Sequence, residues 1–381
     1  MRIIIYEDEP EKFFPLVNFY PQFNLRIGMK TIAEHIAFYF PKFRFEYIAR
    51  EIFNFRLNLR NEPIMYLSAR SLLRERIHLP YEETKFVVDD YEAGFVKVNP
   101  PYPQNLHEVY SALKNIKKKK VISGTIINSP WDLIKNNQTF IIEHFKHTKK
   151  PSKIPRYIEF VGSRKNLFIS RDAIINRFVF FDCQSGPIFI DKKAEIKPFT
   201  TITGPAYVGE GTILDRAKII KSTIGPYCRI GGEVEECIFQ GFSNKYHEGF
   251  IGHSIIGEWV NIGSLTTNSD LKNNYSTVRI KTGKEIKDSG MVKLGCFIGD
   301  HTKLGIGTLI PTGAVVGSFV NFFGGGMMPV YVPSFKWIGS GVDQEYDLEK
   351  AVKTARAVME RRGIILSPEY EKLIRANYKN K

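Results

Sequence analysis

No glycine precedes Gly28 in this chain of 381 residues. A loop that cradles phosphate brings backbone N–H groups close to the anion, which needs glycine. The apolar run Ile3-Ile4-Ile5 instead leads into Glu7-Asp8-Glu9-Pro10, an acidic turn that repels phosphate. Cysteine is scarce too. Cys183, Cys228, Cys237 and Cys296 form no C-x-x-C and no close pair, which argues against zinc or thioredoxin-like chemistry and fits thiols kept reduced in the cytoplasm. No apolar segment approaches the ~20 residues of a spanning helix, and Ile3 to Tyr6 is too short for a signal-peptide core. Acidic residues are in deficit, 40 against 54 basic, for a net charge of +14. The excess favours anionic small molecules such as phosphorylated metabolites or CoA. The densest basic run, Lys117 to Lys120, has no interleaved aromatics and reads as a solvated loop, not a nucleic-acid contact.

The length predicts more than one domain. Residues 1–147 read as α/β, with strands at Ile3–Ile5, Ile64–Leu67, Phe86–Val88 and Phe95–Val98. Helices are expected over Thr31–Phe40, from Ser68, and from Ser129-Pro130-Trp131-Asp132 to Phe145, the last with Ser129 as cap and Asp132 at the positive end. Residues 148–156 are basic and proline-punctuated, a linker. Across residues 157–325 the period becomes six. Ile190, Ile196, Ile202, Val208, Leu214 and Ile220 recur without a miss. Ile224 and Ile230 follow a slip, then Ile238, Asn244, Phe250, Ile256 and Ile262, then Val292, Ile298, Leu304, Ile310 and Val316. A small residue often follows the aliphatic one, the pattern of a parallel β-solenoid. The repeat is expected to stop at Gly324-Gly325-Gly326, leaving residues 326–381 as a helical extension. Asp347 caps its first helix, Gly363 ends it, and Ser367-Pro368 opens the second.

Polar residues interrupt the repeat between Cys237 and Tyr275. The segment His247-Glu-Gly-Phe-Ile-Gly, followed by Gly257-Glu-Trp-Val-Asn-Ile-Gly-Ser-Leu-Thr-Thr-Asn, resembles the acetyltransferase half of the bifunctional N-acetylglucosamine-1-phosphate uridylyltransferase/glucosamine-1-phosphate acetyltransferase. In that family a histidine stands ten residues before the glycine of G-x-x-V-N-I-G, as His247 does before Gly257. The whole chain is similar to a divergent bacterial branch labelled sugar nucleotidyltransferase, through F-N-L-R-I-G (Phe23–Gly28), S-P-W-D (Ser129–Asp132), G-P-I-F-I (Gly186–Ile190), S-N-K-Y-H-E-G-F-I-G (Ser243–Gly252), S-D-L-K-N-N-Y (Ser269–Tyr275) and G-D-H-T-K (Gly299–Lys303).

The resemblance implies a nucleotidyltransferase-like, Rossmann-like α/β domain, a left-handed parallel β-helix and C-terminal α-helices, assembled as a homotrimer. It implies acetyl transfer from acetyl-CoA to an amino-sugar phosphate, within UDP-N-acetyl-sugar synthesis. An amine nucleophile must lose a proton, and His247 is the expected base, oriented by Glu248 or a carbonyl. The Gly263-Ser264 turn would supply an oxyanion donor. Arg229, Lys245, Tyr246, Asn261, Asn268, Asp270, Asn273 and Asn274 are the acceptor-side candidates, with Lys272 as a further phosphate cation. Gly263, Ser264, His301 and Lys303 are the CoA-side candidates. His253 is a weaker base candidate than His247. Arg26, Gly28 and Lys30 are the substitute nucleotide site, with Mg²⁺ if nucleotidyl transfer occurs. Two other readings stand beside this one: a non-catalytic assembly or regulatory protein, and an acyltransferase with a longer donor or a different sugar.

Overall fold

A computed structural model describes residues 2–58, 61–148, 154–282 and 285–379. Residues 149–153 of the expected linker lie outside the described residues. Two compact units emerge: one within Met1–Phe13, Tyr20–Leu25 and Lys30–Asp132, the other within Phe14–Phe19, Arg26–Met29 and Leu133–Lys381.

The first unit is built on strands β1 (Arg2–Tyr6), β2 (Arg44–Ile48), β3 (Ile64–Ser68), β4 (Thr84–Val88), β5 (Tyr91–Lys97) and β6 (Lys119–Val121), in the order β2-β1-β3-β5-β4-β6. β1 runs parallel to β2 and β3, while β5 is antiparallel to β3 and β4. Every residue of β1 and β3 is buried, as unbroken apolar runs require. Helix α1 (Ile32–Tyr39) starts at a full capping box of Thr31 and Glu34, and α2 (Leu106–Asn115) is capped by Asn105. Two expectations fail. No helix starts at Ser68: Ser71–Leu73 is a strand paired with Gly124–Ile126, because a short buried apolar run serves either element and length decides. The lysine run is not a loop, since Lys119 and Lys120 lie in β6, exposed. There they blunt a sheet edge.

Helix α3 (Pro130–Lys146) opens where expected, and the Asp132 carboxylate accepts the N–H groups of Asn128 and Ser129.

The second unit is a parallel β-solenoid followed by α4 (Leu348–Glu360) and α5 (Pro368–Lys379). Each coil sends one residue inward from each of three faces. The first face stacks Ile190, Val208, Ile224, Phe239, Ile256, Ile298, Val316 and Val332. The second stacks Ile196, Leu214, Ile230, Lys245, Ile262, Leu304 and Phe322. The third includes Ile202, Ile219, Val234 and Ile251, then Asn268 and Ile310. The coils do not stop at the glycine run, because Tyr331–Val332 and Lys336–Gly339 continue the parallel pairing.

Three phases differ from the six-residue count. An irregularity between Leu214 and Ala217 brings Ile219, not Ile220, inward. After Val234 the inward residues are Phe239, Lys245 and Ile251, each one later than Ile238, Asn244 and Phe250. Val292 is 43 % exposed and belongs to an excursion that leaves the coils between Asn268 and Phe297.

One corner carries a stacked ladder of Tyr227, Phe242, Trp259, His301, Phe319 and Phe335, with centroid spacings from 4.4 to 6.1 Å. All six have positive φ. A left-handed non-glycine residue costs about 1–2 kcal/mol, and a stacked aromatic pair returns roughly 0.5–1.5 kcal/mol beyond its burial. The ladder thus offsets part of the corner strain, which lets the coils turn without glycine. Tyr370 and Phe19 pack on His301 in this ladder. Among the described residues no helix is long and apolar enough to cross a membrane.

Candidate active site

His247 sits on the corner between the second and third faces, between the inward residues Lys245 and Ile251. Its ring is exposed, and Tyr246 approaches it edge-to-face at 5.8 Å. Lys245 supports it from within. That lysine occupies a core position and is 1 % exposed. Its Nζ donates to the Gly231 carbonyl at 2.8 Å and to the His247 carbonyl at 3.1 Å. Burial pushes its ammonium down to about 8, although Glu248, Cys237 and Glu233 pull the other way. Lys245 is therefore a strut under the histidine, not the expected phosphate grip. The expected orienting contact from Glu248 is absent among the described residues; its carbonyl instead accepts the Leu265 N–H at 2.7 Å.

Asn244 pairs with Asn261 across the coils, so the same register sets His247 against Ser264. Adjacent strands lie about 4.8 Å apart. Gly263 spends its N–H on the Leu304 carbonyl at 2.9 Å and is lost as an oxyanion donor. Ser264 N–H has no hydrogen-bond partner among the described residues. On the other side, the Tyr246 hydroxyl accepts from Lys197 Nζ at 2.9 Å, and Lys197 lies 3.6 Å from Asp215. Gly231 intervenes without a side chain, so the ring can reach across. The sequence reading missed Lys197 and Asp215, which look like ordinary charged corner residues until Gly231 brings them together with Tyr246.

The remaining candidates separate. Asn268 is inward and buried, accepting the Gly252 N–H at 2.7 Å and donating to the Gly252 carbonyl at 3.0 Å. It replaces strand pairing and has no group left for a sugar. Asn261 accepts from Asn244 at 2.9 Å. Asn274 closes an Asx turn onto Ser276 N–H at 3.1 Å, and Lys272 bonds the Thr277 carbonyl. Asn273 and Arg229 are exposed. Arg229 lies close enough to Arg362 to lower that half-buried guanidinium, an effect second to burial itself. His301 does not line a groove. It is buried in the aromatic ladder, its Nε2 lies 3.1 Å from the Tyr370 hydroxyl, and burial and then Lys303 hold it well below the usual histidine range. Lys303 ties the Trp259 and His301 carbonyls at 2.6 and 3.1 Å, its ammonium pushed down to about 7 by burial.

His253 is better built than its sequence suggests. It is buried, and its Nδ1 lies 2.7 Å from Asp270 Oδ2. Asp270 is thereby taken from the acceptor side. Burial alone would raise its carboxyl, but the His253 hydrogen bond, the His253 charge and Lys293 hold it below the ordinary range. Glycine at 252 permits the approach, since a Cβ there would lie 2.6 Å from Asp270 Oδ2.

In the first unit, the carboxyl ends of β1 and β3 are where α/β folds bind ligands. Here that place is filled. Glu7 is fully buried and held by Arg50 through two contacts of 3.0 Å, and it accepts the Gln22 N–H. Asp8 bonds Ser68 at 2.7 Å and Arg70 at 2.9 Å. Arg70 also reaches Glu9 and Asn128. Both Glu7 oxygens meet Arg50 and Asp8 Oδ2 meets Arg70 and Ser68, while Asp8 Oδ1 lies 3.5 Å from the Tyr110 hydroxyl. Carboxylates already neutralised by two guanidiniums do not fit a Mg²⁺ ion, so no step is assigned to one. Nor do the expected substitutes form a phosphate site. Arg26 N–H and Nε donate to Gln240, and Gly28 N–H donates to Asn137, all within the second unit. Lys30 lies over the Phe38 ring.

Residues 3–153 match the family model described as sugar nucleotidyl transferase. The chain is 34% identical over 156 residues to a bifunctional sugar-1-phosphate nucleotidylyltransferase/acetyltransferase of Sulfurisphaera tokodaii, an alignment covering 38% of this chain and 37% of that one. It is 25% identical over 226 residues to the bifunctional protein GlmU of Methanocaldococcus jannaschii, covering 55% of this chain and 48% of that one. The chain thus spans less than half the length of these two relatives. A solved hexapeptide transferase family protein from Anaplasma phagocytophilum aligns with 57% of this chain and 96% of its own, at 15% identity and a TM-score of 0.26.

Proposed function

We propose that this chain is a cytoplasmic, acetyl-CoA-dependent N-acetyltransferase acting on an amino-sugar phosphate of the glucosamine-1-phosphate type. The reading includes a homotrimeric assembly, and a product that feeds UDP-N-acetyl-sugar synthesis for the cell envelope. The observation that carries it is one exposed imidazole, His247, on a backbone pinned from inside by a buried lysine. The names of the bifunctional relatives support the same chemistry.

In this reaction His247 takes a proton from the acceptor amine as its nitrogen attacks the thioester carbonyl. The C–N bond forms and the carbonyl electrons move onto oxygen. Ser264 N–H, one coil away, is the free backbone donor for that oxyanion. Collapse breaks the C–S bond, and the imidazolium returns its proton to the departing CoA sulfur. Arg229, Tyr246 with Lys197, and Asn273 are the groups left to hold the acceptor and its phosphate, since Lys245, Asn268 and Asp270 are committed elsewhere.

The test is thiol release from acetyl-CoA in the presence and absence of glucosamine-1-phosphate, with the product identified by NMR as the N-acetyl sugar phosphate. Release that requires the acceptor supports the assignment. Release unaffected by any amino-sugar phosphate would remove it. The Arg50–Glu7 and Arg70–Asp8 pairs favour a second reading for the first unit alone: a module that retains the nucleotidyltransferase fold without turning over nucleotide.

A further inference from the structure

Among the described residues, the group of three potential metal-ligating side chains lies in the solenoid, at Glu235, Glu236 and His253, with ligand atoms all within 4.8 Å of one another. Glu235 and Glu236 end one coil, and His253 stands on the same corner of the next, where its N–H bonds the Glu235 carbonyl at 2.8 Å. We infer that these residues form a binding site for a divalent transition cation of the zinc class, with Asp270 orienting the histidine from behind.

Three observations carry this. First, the His253 side chain is 6% exposed, and its two ring nitrogens have different neighbours. Nδ1 lies 2.7 Å from Asp270 Oδ2, a full hydrogen bond, whereas Nε2 lies 3.5 Å from Glu236 Oε2. A metal-bound histidine typically donates its other N–H to a carboxylate, which fixes the tautomer and leaves a lone pair for the ion. Second, 3.5 Å is long for a hydrogen bond but suits two ligands of one ion. A tetrahedral cation with bonds of about 2.0–2.1 Å spaces its ligand atoms roughly 3.3 Å apart. Third, the donor set is one imidazole and two carboxylates, which selects zinc-like ions over magnesium or calcium, whose partners are oxygen. Three protein ligands leave a fourth position for water.

The nearest competing cation is Lys293, whose Nζ is 3.9 Å from Glu235 Oε1 and 49% exposed. It can swing to solvent when a dication enters. Because Asp270 and Lys293 bracket the excursion of residues 269–293, an ion here would tie that excursion to two coils of the solenoid through His253.

The experiment uses the full chain stripped with EDTA and desalted, then titrated with Zn²⁺ by calorimetry, with Co²⁺ as a spectroscopic probe. One equivalent of Zn²⁺ should bind, Co²⁺ should give tetrahedral visible bands, and Zn²⁺ should raise the melting temperature where Mg²⁺ does not. His253→Gln and Glu236→Gln should each weaken Zn²⁺ by at least tenfold, and Asp270→Asn by about tenfold to a hundredfold. The Glu236 side chain is 27% exposed, so Glu236→Gln keeps the test usable if the histidine variant misfolds. Absence of stoichiometric Zn²⁺ uptake, or wild-type affinity in folded Glu236→Gln, overturns the site. His247→Ala must bind Zn²⁺ as wild type does; a loss there would move the ion to the exposed histidine and overturn it equally.

Discussion

At the ends of β1 and β3, Glu7 and Asp8 are paired with arginines of their own unit. At the corner of the solenoid, the His247 ring is exposed, with the Tyr246 edge beside it. Both places are where their folds are expected to do chemistry, and both carry titratable groups. The difference is whether the polar atoms are spent. Arg50 and Arg70 complete the first network, so its ionic groups stabilise a fold without a glycine loop after β1. In the solenoid the structural duty is passed inward, to Lys245 and Asn268, and the groups left outside are available.

The contrast can be broken at several points. The largest effect is expected at His247. Replacement by alanine should lower acetyl transfer by about a hundredfold to ten-thousandfold, the usual worth of a general base, with an unchanged circular dichroism melt because the side chain is exposed. Comparable rates in the two proteins would dissolve the contrast. Next comes Arg70→Ala, which strands the buried Asp8 carboxylate. Breaking one side of such a pair costs about 3–5 kcal/mol, read by urea denaturation, while acetyl transfer by the folded fraction should persist. A loss of transfer without a loss of stability would make the first unit catalytic after all.

Lys245 tests the strut by pH. Its folded ammonium lies at about 8 against an ordinary 10.5. Below pH 8 both states hold the proton. Between pH 8 and 10.5 the unfolded chain keeps a proton that the folded chain has released, so raising the pH favours folding. The gain is about 3 kcal/mol across that window, and Lys245→Met should lack it. Equal slopes in the two proteins would mean that the lysine is not buried as described. The smallest effect belongs to Asn273→Ala. It should raise the KM for the amino-sugar phosphate a few-fold, with stability changed by less than about 0.5 kcal/mol. Unchanged KM would remove Asn273 from the acceptor side.

The solenoid was legible wherever the inward residues are aliphatic and the coil keeps its length, as from Ile190 to Leu214. It became illegible where a corner gains or loses a residue, at Asp215-Arg216 and again between Ile230 and Phe239. Hydrophobic counting then followed Asn244 and Phe250 and missed Lys245, because a lysine with its Nζ on two carbonyls fills a core position without looking like a core residue. Asn268 escaped for the same reason. Reading both as acceptor contacts follows from their polarity, and only the fold shows that their hydrogen bonds point inward. His301 and Lys303 were misread because a motif fixes neighbours along the chain but not what packs on them, here Tyr370 and Phe19 on His301 and the Trp259 carbonyl on Lys303. The ten-residue offset to Gly257 singles out His247, and the fold adds that its ring is exposed on a corner. The acidic turn after β1 was legible as a missing phosphate loop, whereas its arginine partners, Arg50 and Arg70, come from distant strand ends.

The most direct test of His247 as the proton acceptor is chemical rescue. His247→Gly leaves a hole at an exposed corner that free imidazole can enter. Thiol release from acetyl-CoA with glucosamine-1-phosphate should collapse in this variant and recover in proportion to added imidazole, with no effect of imidazole on the wild type. A variant that turns over as fast as wild type without imidazole would contradict the account.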